Sequence, residues 1–159
     1  MRRTLACVAV IAFADYVIKR RRPSWFQVGL VDEPAHMATA ILLHPGRPSV
    51  AYLVGSVLPD LDHVPLAFRK PEVGSARPRT HSLYVVAPAA LVSRELAAGM
   101  LAHFVRDLAG KPGVPLLSSR RLQVPYAAYA VLVLAAAYSR SRPWRAAPAH
   151  NPGASGRGP

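Results

Sequence analysis

Most of the acidic residues in this apolar chain stand beside a histidine, and any fold has to accommodate that pairing. Four clusters carry it: Asp32-Glu33-Pro34-Ala35-His36, Pro59-Asp60-Leu61-Asp62-His63, Arg79-Thr80-His81-Ser82 and His103-Phe104-Val105-Arg106-Asp107. Asp32 and His36 are four residues apart, as are His103 and Asp107, so each pair shares one face of a helix. Carboxylate and imidazole together form the ligand mix of zinc, manganese or iron in a hydrolytic site. Buried in apolar surroundings, such groups are costly unless they pair or bind something, which makes them functional candidates. Each cluster also has a plainer reading. A single His-x-x-x-Asp is commonly a surface hydrogen bond, Asp60 could cap a turn after Pro59, and Thr80 and Ser82 are ordinary N-cap residues. Ser82 lacks the glycine-flanked elbow of a nucleophile. His44 reads as a helix-end residue and His150 lies in the tail, so both are left out.

The rest of the chain reads as all-α. Leu5–Ile18 is an apolar run preceded by Arg2 and Arg3 and followed by Lys19-Arg20-Arg21-Arg22. A signal peptide is one reading, with Ala12-Phe13-Ala14 as a small-x-small cleavage pattern. An interfacial or membrane-inserted helix with Asp15 near its end is preferred, and the run is shorter than the roughly 20 residues that span a bilayer. The pattern predicts helices over Pro34–Leu43, with Asp32 or Glu33 near the start, and over Val50–Leu58, capped by Ser49 and stopped by Pro59. Residues 60–79 read as a long loop. Ser82–Leu108 reads as two helices broken near Ser93–Glu95. Val124–Tyr138 is the cleanest membrane candidate, with Pro125 in a tolerated first-turn position and Tyr126, Tyr129 and Tyr138 suited to an interface. No internal repeat and no trustworthy strand alternation is visible. The organisation expected is an N-terminal apolar helix with basic flanks (1–22), a helical metal-site domain (23–139) and a disordered Arg/Pro/Gly tail (140–159).

Charge and composition narrow the partners. Hydrophobic residues make up 52% of the chain, and twenty Lys and Arg against eight Asp and Glu give a net charge of +12. Either nucleic-acid phosphates or an anionic membrane leaflet would explain that excess. The basic residues flank apolar helices with few interleaved aromatics, a pattern that favours lipid headgroups and argues against nucleic acid. Arginine greatly outnumbers lysine and Ala, Pro and Gly abound, the bias of a GC-rich bacterial genome. The lone Cys7 excludes an internal disulfide framework and a cysteine-based zinc ribbon.

Taken in order, Pro59-Asp60-Leu61-Asp62-His63, Thr80-His81-Ser82-Leu83, His103-x-x-x-Asp107 and Gly113-Val114-Pro115-Leu116-Leu117, with His36 upstream, carry a resemblance. Over roughly Asp32 to Leu117 the chain resembles the bacterial LexA-binding, inner-membrane-associated hydrolases, also described as membrane-bound metal-dependent hydrolases. The resemblance implies a helical protein of the inner membrane with a metal site built from His36, Asp60, Asp62, His81, His103 and Asp107. His63 matches the Asp-x-Asp-His form found in part of the family. More distantly, the pattern is similar to the helical zinc-dependent phospholipases C and single-strand nucleases, an analogy bearing on reaction type alone. The chain departs from the family at Ala76, where a histidine is usual, at Pro78 in place of glycine, and at Ser118-Ser119 in place of Trp-Pro.

The expectation is a membrane-bound hydrolase in which a divalent metal, zinc first and manganese or iron as alternatives, activates a water. Asp60, Asp62, His81 and Asp107 are expected in catalysis, with His36, His63 and His103 completing the metal ligands and Asp32 beside His36. Arg77 or Arg79 could neutralise an anionic substrate, or simply be positive-inside charges. Membrane lipids, a small or lipid-like substrate such as a phosphoester, and a protein partner are the expected contacts. Two rivals stand beside it: a non-catalytic membrane protein with a structural Asp/His site, and a regulator- or nucleic-acid-binding adaptor.

Overall fold

A computed structural model describes residues 1–21, 23–63, 81–110, 114–117 and 120–141, without the side chains of residues 25, 62, 115–117, 120 and 121. It is mostly helical. Helix α1 (Arg2–Arg21) is followed by α2 (Trp25–Leu43), α3 (Val50–Gly55) and a 3-10 helix over Leu58–His63. A second 3-10 turn, Leu83–Val85, leads into α4 (Val86–Val92), α5 (Arg94–Ala109) and, after a short hairpin, α6 (Tyr126–Ser141). The hairpin pairs β1 (Val114–Leu117) with β2 (Arg120–Leu122), antiparallel with an irregularity between Pro115 and Leu117. No alternation in the sequence announces so short a pair. Residues 64–79 of the expected loop, with Arg77 and Arg79, lie outside the described residues, as do Thr80 and the tail from 142 onward.

Helix α2 organises the rest. It begins nine residues before the expected start at Pro34, because Ser24 and Gln27 form a reciprocal capping box that supplies the first turn with hydrogen-bond partners. Pro34 therefore sits inside the helix. Its missing N–H would have bonded the Leu30 carbonyl, and both residues are on the exposed face, where water can take over. On the other faces, Ala35, His36, Ala38, Thr39, Ala40 and Leu42 are all buried. The small side chains let α1, α5 and α6 pack closely around α2. Ile11 and Ala14 of α1 join Ala35, Ala38 and Leu42 of α2 and Tyr129 and Val133 of α6 in one core cluster. Each of its larger aliphatic side chains contributes about 1.5–3 kcal/mol on burial. A second cluster joins Ala40, Tyr52 and Ala102, and a third Met100, Phe104 and Val114.

The break near Ser93 is found where the sequence puts it. Ser93 ends α4 and caps α5, accepting from the Leu96 N–H. Helix α3 is shorter than Val50–Leu58, ending at Gly55, and Pro59 lies within the following 3-10 helix rather than after a stop. Tyr129, expected at an interface, is buried, 3% exposed, with its hydroxyl bonded on both sides.

Among the described residues no helix is long and apolar enough to cross a membrane. The surface is nonetheless rich in large apolar side chains. Leu5, Phe13 and Tyr16 of α1, Phe26 and Leu30 of α2, Leu91 and Val92 of α4, and Val131, Leu134 and Tyr138 of α6 are all more than half exposed.

Candidate metal centre

Four segments bring the clusters together. Helix α2 delivers His36, the first 3-10 helix delivers Asp60 and His63, His81 stands just before the second 3-10 turn, and α5 delivers His103 and Asp107. The separation of four along α5 sets the last two on one face, as the sequence implies. Asp62 belongs to the first 3-10 helix, but its side chain lies outside the described residues. The other six expected ligands converge. Their donor atoms form three overlapping groups: His36, Asp60 and His103; Asp60, His63 and His81; and His81, His103 and Asp107.

Two histidines are oriented by main-chain carbonyls. His103 Nδ1 lies 2.9 Å from the Ser56 carbonyl oxygen, and His81 Nδ1 lies 3.2 Å from that of Pro59. A protonated Nδ1 donates in each case, which turns Nε2 toward the cluster. A carbonyl behind the ring is the usual companion of a metal-bound histidine. His103 Nε2 then stands 3.2 Å from Asp107 Oδ2 and 3.7 Å from Asp60 Oδ1. The His36 ring stacks on that of His103, centroids 3.8 Å apart and planes at 13°. Its Nε2 lies 3.6 Å from Asp60 Oδ2, 3.7 Å from Asp32 Oδ2 and 3.8 Å from Asp107 Oδ1. His63 Nδ1 is 3.5 Å from Asp60 Oδ1. The closest of these approaches is that of His81 Nε2, 2.5 Å from Asp107 Oδ2.

These separations test whether the residues suit a cation. A hydrogen bond needs about 3.2 Å or less, whereas two donors held about 2.1 Å from one tetrahedral ion stand roughly 3.4 Å apart. Most of the distances fall near the second value. Both nitrogens of His36 and Nε2 of His103 are buried without a hydrogen-bond partner among the described residues. Buried polar atoms are rarely left that way. With carboxylates of Asp60 and Asp107 aimed at the same space, the donor set fits a divalent cation. The three histidines His36, His81 and His103 are fully enclosed, while the side chains of Asp60 and His63 keep 20% and 12% of their exposure. Among the described residues the cluster meets solvent at Asp60 and His63, and also at Asp32, whose side chain keeps 24% of its exposure.

Electrostatics follow the crowding. Burial opposes a charge on His36, but Asp32, Asp60 and Asp107 outweigh it and raise its pKa. His103 moves the opposite way, lowered by burial and by the His36 ring stacked on it. Burial also works to raise the Asp32 carboxyl, yet His36 and Arg106 hold it well below the usual carboxylate range. Glu33 is pushed up to about 8, first by burial and then by the charge of Asp60. The sequence assigns Glu33 no role beyond its place near a helix start, although its position one turn before His36 is a usable signal.

Arg106 is a further residue that the sequence does not single out. It is 6% exposed, and among the described residues it is the one buried Lys or Arg. Its signal is an arginine set between His103 and Asp107 in an apolar helix, with Asp15 a carboxylate inside another apolar run. Ser82 is buried at the N-cap position of its 3-10 turn but makes no side-chain cap bond there, unlike the ordinary cap the sequence allows. His44, left out of the site, lies at the C-terminus of α2, where Nδ1 accepts from the Gly46 N–H.

No family model, curated protein or solved structure matches the chain.

Proposed function

We propose that the chain is a membrane-associated, metal-dependent hydrolase. The observation that carries this reading is the convergence of His36, Asp60, His63, His81, His103 and Asp107, with two of the imidazoles held from behind by backbone carbonyls. Asp60, His81, His103 and Asp107 would hold a divalent ion, zinc first, with His36 and His63 completing its surroundings and Asp62 joining from the same 3-10 helix. When bound, such an ion supplies Lewis acidity and makes a water acidic enough to attack near neutral pH. The protein's own part is to fix the carboxylates, orient the imidazoles from behind and keep the inner side of the site dry. The partial exposure of Asp60 and His63 supports an open position where a substrate could enter, the arrangement of catalytic rather than closed structural sites.

A phosphoester or lipid headgroup is the substrate class that suits the setting. Arg77 and Arg79 are proposed, from sequence, to meet its negative charge. Exposed apolar side chains on α1, α2, α4 and α6, together with the basic residues at both ends of α1, support seating against an anionic bilayer.

The test is elemental analysis of detergent-purified full-length protein beside His81→Ala and Asp107→Ala. About one or two equivalents of zinc, manganese or iron, lost in both variants, support the reading and justify a screen of phosphoesters and lipids for chelator-sensitive hydrolysis. No metal in the wild type, even after reconstitution, sinks it. Metal held without any exchangeable coordination position would leave a structural site instead.

A further inference from the structure

Arg106 is spaced one residue from the expected ligand Asp107, yet it points elsewhere. Nε and Nη2 both reach Asp32 Oδ1, at 2.8 and 2.7 Å. Nη2 also donates to Asp15 Oδ1 of α1 at 3.0 Å, and Nη1 to the Tyr129 hydroxyl of α6 at 3.1 Å. One guanidinium thus joins α5 to three other helices. Asp15 is fixed in turn by the Tyr126 hydroxyl.

Two consequences reach His36. The fork engages Oδ1 of Asp32 and leaves Oδ2 turned toward His36 Nε2. The second route is a chain of donors with one direction. Thr39 Oγ1 donates to the Ala35 carbonyl at 2.8 Å, so the Tyr129 hydroxyl, 2.7 Å from Thr39, donates to Thr39 and accepts from Arg106. That chain ends on the backbone of α2 one residue before His36. Arg106 therefore grips the turn of α2 that carries His36 from both sides.

We propose that Arg106 is a positioning residue for the metal centre. Held by Asp15, it sets the Asp32 carboxylate and with it the placement of His36, so that the seating of α1 controls how well the site binds metal. An arginine suits this role where a lysine would not, because its planar fork can engage three acceptors at fixed angles. The inference rests on the metal-site reading of the previous section. It differs from a purely structural ion pair in predicting an effect on metal affinity that depends on Asp32.

The experiment measures zinc affinity by chelator competition, with thermal midpoints recorded in parallel, for detergent-purified wild type, Asp32→Asn, Arg106→Gln, the double variant and Asp15→Asn. Partners behind metal ligands typically change affinity about ten- to a hundredfold. We expect losses of that order for Arg106→Gln and Asp32→Asn, and a loss in the double variant well short of the two combined, the remainder being carried by the Tyr129–Thr39 route. Asp15→Asn, whose side chain touches no ligand, should weaken zinc binding severalfold, and it decides the matter should Arg106→Gln fail to fold. Unchanged zinc affinity in Arg106→Gln and Asp15→Asn, with only their midpoints lowered, overturns the inference and leaves the metal site intact. Independent, additive losses for Arg106 and Asp32 overturn it too. A wild type that binds no zinc removes the metal-site reading itself, and the inference with it.

Discussion

Glu33 shows how much a single side chain depends on its neighbours. A free glutamate ionises near 4.5, but burial, and after it the charge of Asp60, lets this one keep its proton up to about 8. Between those values the folded protein binds a proton that the unfolded chain has released, so stability falls as pH rises through the window and levels off beyond it. His36, also raised, acts with the same sign: the stability it adds is present at low pH and is lost as pH rises. His103, lowered by burial, acts with the opposite sign, so the test in chelator-treated protein is a difference: from pH 5 to pH 8 the thermal midpoint of Glu33→Gln should fall less, or rise more, than that of the wild type. A slope that Glu33→Gln leaves unchanged would count against the burial of its carboxyl beside Asp60. At this scale the sequence is informative wherever a ligand and its partner lie within one helical turn, as His103 and Asp107 do. It cannot reveal the pairing of Arg106 with Asp15 and Asp32, because those contacts join residues 91 and 74 positions apart.

The elements hold the site through close approach. A Cβ on Gly55 would meet the Leu96 carbonyl oxygen at 2.2 Å, and one on Gly99 would meet that of Tyr52 at 2.0 Å. Helices α3 and α5 are thus nearly in backbone contact. That contact brings the Ser56 carbonyl, just past the end of α3, to His103 on α5. Gly99→Ala must push the two helices apart, at a cost of about 1–3 kcal/mol or more, and should weaken metal binding by moving that carbonyl. Gly29→Ala is the matched control. Its new Cβ would meet nothing within 4 Å, so relief of the glycine penalty in a helix should raise stability by roughly 0.5–1 kcal/mol. Urea unfolding of both variants checks the pair, and equal effects would contradict the helix contact. Helices whose ends carry a local signal, such as the Ser93 cap of α5, are legible in the chain. The start of α2 is not, since Pro34 reads as a helix beginning and the Ser24–Gln27 box lies outside the apolar pattern. Nor is the turn at Asp60 legible as a 3-10 helix, because Pro59 signals the end of one helix and carries no mark of the tighter turn beyond it.

At the scale of the whole molecule, a mostly helical body carries many large apolar side chains on its surface and a basic rim at both ends of α1. Under the proposed seating on a bilayer, the purified protein should float with vesicles containing anionic lipid. Raising salt should weaken that binding, since screening reaches the basic residues, without abolishing the part due to apolar contact. Equal binding to vesicles of neutral and anionic lipid would remove electrostatic attraction from the proposed seating.

No single element holds more than two of the six gathered donors, and they run from position 36 to position 107. Under the proposed metal binding, an ion would find its full set only after α2, the 3-10 turns and α5 have docked, late on the way to the native state. Interactions absent from the folding barrier slow escape from the native state and leave its formation nearly unchanged. Zinc should accordingly reduce the unfolding rate of this protein while its refolding rate stays close to that of the metal-free chain, a division that stopped-flow kinetics with and without chelator can read. The scatter of ligands along the chain would make the metal a lock on the finished fold and no guide to reaching it.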